Sequence, residues 1–178
     1  MAGTLPGMRV RHAFALLLVV AAACGGNVDA GPGANDYFTK LERTSETAYI
    51  QERGLGRDLR VRLEEAGLGA DRMDAVTVFL DQSARLYQDI VDALRQLHAP
   101  PELAAAQRAY LEAWQGQLDL IVKVRDAGFP SSGQVLKELD RPAFRDATKE
   151  TKVRCEDLQA AVDASGPHVD LDCGGRPS

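Results

Sequence analysis

Three cysteines and three histidines are the residues of this chain best suited to chemistry. Their spacing argues against most of it. His98 closes an apolar helical repeat, where a helix C-terminus favours an imidazolium. His168 stands beside Asp170, Asp172 and Cys173. A His–Asp pair there can touch a metal, but a disulfide-bonded Cys173 cannot serve as a thiolate ligand. Neither histidine belongs to a Glu-x-x-His pair, the spacing that puts two metal ligands on one helical face. The chain has no Cys-x-x-Cys-His, no G-x-S-x-G, no glycine-rich phosphate loop and no HExxH. We therefore expect no catalytic residue, no metal site, no cofactor and no enzymatic activity.

Cys155 and Cys173 form the pair most easily explained. An even pair in an exported chain invites a bridge. Cys155 falls on the inward stripe of the last helical repeat, and "HVDLDC" can fold back along that helix to bring Cys173 to it. The helix from 155 to 164 rises about 14 Å, and nine extended residues reach up to about 30 Å, so closure is easy. A redox or metal pair would ask for a CxxC spacing or a basic, exposed setting. We expect a structural disulfide, which would pin Val169 and Leu171 over an open end of the domain.

Cys24 has a different context. Arg9 and Arg11 precede Ala13–Ala23, an uninterrupted apolar run with no acid before it. A basic start, an apolar core of about 7–15 residues and small residues at its end make a secretion signal. The run is shorter than the roughly 20 residues of a spanning helix. Met8 would serve as a start codon as well as Met1. The end of the run, Ala22, Ala23, Cys24 and Gly25, resembles a bacterial lipobox, although Ala21 stands where leucine is usual. That resemblance implies a diacylglycerol on Cys24, palmitate-type acylation and cleavage that leaves Cys24 first. The rival is ordinary cleavage after Ala21-Ala22-Ala23. The resemblance implies a lipoprotein held outside the cytoplasm on the cell membrane or envelope, with membrane lipid as its first partner.

Composition places the rest. Residues 1–23 read as the leader, 24–35 as a flexible tether and 36–178 as one helical domain. The tether "GGNVDAGPGAN" is too poor in apolar residues to order itself and spans about 18 Å as a random coil. The charge of −5 becomes −7 once Arg9 and Arg11 leave with the leader. An acidic domain argues against nucleic acid as a partner. Arg53, Arg57, Arg60 and Arg62 make a basic face, and Asp74, Asp81, Asp89 and Asp92 an acidic one. They are a docking surface for an anionic polymer or partner, or solvated faces compensated by Glu52, Glu64 and Glu65.

The elements that must position these residues are all helical. Met73, Val76, Leu80, Ser83, Tyr87, Ile90, Leu94 and Leu97 recur at steps of three and four. Phe38, Leu41, Ser45, Ala48, Leu55, Leu59 and Leu63 make an earlier stripe that Gly54 and Gly56 would bend or break. Pro101 suits the first turn of a third helix, carrying Leu103, Ala106, Tyr110, Ala113, Trp114, Leu118, Ile121 and Val124. Val135, Leu136 and Leu139 form a short segment, and Pro142 opens the last stripe of Phe144, Thr148, Thr151, Cys155, Leu158 and Val162. These spacings predict an all-α, up-and-down bundle of about four main helices with a C-terminal tail held by a disulfide. Two functions fit it. The first is an anchored helical module that binds a protein or envelope partner. The second is a small-ligand or metal-binding bundle, a receptor or carrier, which needs polar groups converging around Tyr110 and Trp114 or around His168, Asp170 and Asp172.

Overall fold

The computed structural model describes residues 32–67, 70–166 and 168–174. The leader, Cys24 and most of the tether lie outside these residues. The described chain forms five helices: α1 (Pro32–Glu65), α2 (Ala70–Gln96), α3 (Ala104–Asp126), α4 (Ser132–Leu139) and α5 (Pro142–Ser165). Four are long, α4 is a two-turn link, and no strand occurs among the described residues. The expected helical bundle is the fold observed.

Each boundary has a local cause. Ser131 is extended and its hydroxyl accepts the Gln134 N–H, capping α4. Arg141 is extended and Pro142 takes the first helical position of α5, where its missing N–H costs nothing. Gly166 ends α5 with φ of 103°, a conformation that a Cβ would disfavour. Two boundaries differ from the sequence expectation. The first helix takes in Pro32–Asn35, which we assigned to the tether. The third begins at Ala104, because Pro100–Leu103 close a turn through Leu103 N–H to Pro100 O.

Gly54 and Gly56 do not break α1, which runs through both. Nothing lies within 4 Å of a Cβ placed at either. Their cost of about 1 kcal/mol each is offset because Leu55, Leu59 and Leu63 pack against the core from the same stretch.

The core is built from the predicted stripes. Leu41, Val76, Leu94, Leu158 and Val162 from those stripes are fully enclosed, and so is Val91, which the stripes did not include. Helix α1 packs on α2, α2 on α3, and α3 on α5. No comparable packing joins α1 to α5 among the described residues. Three seams of the bundle are closed by helix-on-helix packing, and the fourth, between α1 and α5, is not. That open seam decides where the side chains of the site go.

Candidate functional site

The seam is strapped at one end by the C-terminal tail. Cys155 and Cys173 are disulfide-bonded, with Cα atoms 5.5 Å apart. The Gln159 side chain donates to Val169 O at 2.7 Å and accepts from Leu171 N–H at 2.8 Å, holding the tail as a strand partner would. Leu171 is fully buried. From this mooring on α5 the tail reaches α1: Asp170 N–H approaches Glu42 Oε1 at 3.5 Å, and Gly174 lies against the Tyr49 ring. Asp172 takes a left-handed φ of 43° while donating its N–H to Asp170 Oδ1, the local bond that makes this conformation tolerable for aspartate. The sequence predicted the return along α5 but not the crossing to α1.

Beneath the strap is a cavity of about 210 Å³ between α1, α3 and α5. Tyr110 and Trp114 from α3 line its wall, with Ser45, Tyr49 and Glu52 from α1 and Thr151, Lys152 and Cys155 from α5. Helical spacing explains the set. Ser45, Tyr49 and Glu52 lie at steps of four and three on α1, as do Tyr110, Trp114 and Gln117 on α3, so each trio shares one face. The rings form a cluster. Trp114 lies 5.4 Å from Tyr87 and 6.3 Å from Tyr110 between centroids, both in tilted or edge-on arrangements.

The polar groups in this well are unequally satisfied. Tyr87 Oη donates to Glu52 Oε1 at 3.1 Å. Burial holds the Glu52 carboxyl above the usual range, and the tyrosine bond pulls it partly back. Burial, then the Glu52 charge, hold Tyr87 well above an ordinary phenol. Gln117 Nε2 donates to Thr151 Oγ1 at 2.8 Å, and Thr151 donates onward to Ala147 O at 3.0 Å. The Ser45 hydroxyl and the Trp114 indole N–H are buried without a hydrogen-bond partner among the described residues. Both lie close enough to the Tyr110 hydroxyl to counter the upward pull of burial on its pKa, yet neither meets it with hydrogen-bond geometry.

No protein-family model, curated protein or solved structure matches this chain. Its site must be read from its own geometry. Buried polar groups in folded proteins nearly always find partners, and a lone unsatisfied one costs about 1–3 kcal/mol. The two side chains that carry these groups both line one cavity, which makes it the candidate place for a polar guest. Trp114 can only donate, so the guest must bring an acceptor.

The remaining sequence candidates are elsewhere. His98 is exposed, with Nδ1 3.1 Å from Gln96 O, and His168 is exposed in the tail. No group of three His, Cys, Asp or Glu side chains among the described residues could hold a metal ion. Arg53 stacks on the Tyr49 ring at 5.3 Å and donates to its hydroxyl, so it belongs to the rim of the strap. Glu52 corrects our reading of the basic face. It turns inward to Tyr87 and does not compensate those arginines. The sequence alone puts Thr151 on the last stripe without a partner and does not single out Gln117, because polar residues beside an apolar stripe carry no signal until the partner helix is known.

Proposed function

We propose that this chain is an extracytoplasmic, lipid-anchored binding protein that holds a small ligand in the open seam between α1 and α5. The observation that carries the binding half is that Ser45 and Trp114, whose buried Oγ and Nε1 have no hydrogen-bond partner among the described residues, both line one cavity. The anchor half rests on the leader and on Cys24 after Ala22-Ala23. No helix among the described residues is long and apolar enough to cross a membrane, so attachment in this proposal runs through the acyl group.

The interhelical site ranks above the protein-docking module because, outside the seam, the surface offers little apolar area to a partner. Among the described residues, the strongly exposed large apolar side chains are Ile50, Val61 and Val153. Ile50 and Val61 are separated by about 16 Å along α1. Scattered residues of this kind are ordinary on a folded surface. The charged side chains form mostly exposed pairs such as Arg95–Asp92 and Arg154–Glu150, each worth about 0–1 kcal/mol.

Thermal unfolding against a panel of small polar metabolites and amphiphiles tests the binding half. A ligand at one hundred times its Kd adds about 2.7 kcal/mol, which raises Tm by roughly 9 °C for a domain of this size. The Ser45→Ala, Trp114→Phe double variant should fold and lose that shift. A shift of equal size in the double variant would remove the cavity from the account. Intact mass of membrane-extracted protein tests the anchor: a chain beginning at Cys24 with a diacylglycerol supports it, and an unlipidated soluble chain overturns it.

A further inference from the structure

The well does not end at Gln117. That residue, Thr148 and Lys152 also line a second and larger space of about 690 Å³, which continues the open seam toward α4. Its walls change character. Leu59, Phe79, Ile121, Leu136, Leu139 and Phe144 give it an apolar floor drawn from all five helices. Most of these side chains are only half-buried although they pack against the core, so their exposed halves face the groove. Along one edge α5 sets Arg145, Lys149 and Lys152 at steps of four and three.

These cations are not equally committed. Arg145 donates to both the carbonyl and the carboxylate of Asp140. Lys152 has only a loose exposed contact, 3.6 Å from Glu156. Lys149 has no ion-pair partner among the described residues. Positive charge therefore stands where the polar well gives way to the apolar groove.

We propose that the seam binds a single-chain carboxylate amphiphile, its carboxylate at Lys149 and Lys152 and its alkyl chain along the groove. The proposal rests on reading the seam as a ligand site and names the class of ligand. Glu52 deeper in the well repels a second anion, so the charged head stays at the lysines. A more highly charged phosphate head would meet that repulsion more strongly. Two lysines act as point charges suited to one carboxylate. The groove is a poor contact for a second copy of this chain, since a two-fold partner would bring the same three cations to the same seam.

The chain has a single tryptophan, Trp114, and it lies in the adjoining well. Its emission reports occupancy of the seam. We would titrate the full domain with alkanoates of eight to fourteen carbons below their micellar concentrations. Alkyltrimethylammonium ions and alkanols of matched length serve as controls. The proposal expects saturable binding that tightens about fourfold per added methylene and a carboxylate preference of about tenfold over the cation. The exposed-site variant Lys149→Ala, Lys152→Ala should lose the head preference and keep the chain-length dependence. Leu139→Glu should abolish binding while leaving helix content unchanged. Equal or tighter binding of the cations, or affinity independent of chain length, overturns the proposal. If no amphiphile binds but a polar metabolite raises Tm through Ser45 and Trp114, this proposal falls and the binding function stands. If nothing binds, both fall. Self-association that buries the groove and excludes alkanoates also overturns it.

Discussion

Removing the strap's covalent tie should weaken the domain without dissolving it. In the variant Cys155→Ala, Cys173→Ala the folded state keeps its other moorings. Leu171 remains buried and Gln159 still bonds both Val169 and Leu171. The loss then falls on the unfolded chain, which regains the freedom of a loop closed over 18 residues. The chain-entropy relation gives about 11 cal/mol/K for that loop, or about 3 kcal/mol at 25 °C. With about 0.3 kcal/mol/K of unfolding entropy for a domain of this length, Tm should fall by roughly 10 °C. Urea unfolding followed by far-ultraviolet circular dichroism measures the change in free energy. Iodide quenching of Trp114 reports the well beneath the strap. We expect unchanged helix content, a loss of about 3 kcal/mol and a modest rise in quenching. A loss below about 1 kcal/mol would refute the loop-entropy reasoning. Collapse of the helical signal in the absence of denaturant would show that the tail organises the bundle instead of covering it.

Three further expectations follow from single side chains. Gln107 Nε2 donates to Leu94 O in the last turn of α2 and to Leu97 O just past its end; Gln107→Ala should cost about 2 kcal/mol in urea unfolding. Gln159→Ala should cost a similar amount and speed hydrogen exchange at the Leu171 amide, with exchange elsewhere in the core unchanged. Glu52 is held above its unfolded pKa by burial, so its contribution to stability is full below the ordinary glutamate range. That contribution is lost as pH rises through the elevated folded value. Relative to wild type, Glu52→Gln should gain stability as pH rises above the ordinary glutamate range, read as a widening Tm difference; parallel curves would contradict the shift.

The bundle was legible because its stripes are long. Val76, Leu80, Ser83, Tyr87, Ile90 and Leu94 recur at helical spacing, and all six are buried. The disulfide was legible from an even cysteine pair in a chain read as exported, with helix rise and tail length allowing closure. The glycines misled because propensity at Gly54 and Gly56 is worth less than the leucines packed around them. The site was legible only in part. Tyr110 and Trp114 read as plain core first and as ligand wall only second, since nothing in α3 says whether its neighbouring seam is closed. Glu52 looked like a surface charge because its partner, Tyr87, lies on another helix. The open α1–α5 seam is a property of pairwise packing, and no single helix encodes it.

That seam carries the central claim, and occupancy of the protein as the cell makes it tests the claim most directly. Native mass spectrometry of the chain purified from its own membrane in mild detergent would compare wild type with the Ser45→Ala, Trp114→Phe variant. The account predicts one small molecule bound per wild-type chain, released on collisional heating, and its loss or marked depletion in the variant. A wild-type chain carrying nothing beyond its anchor, or equal occupancy in both proteins, would contradict it.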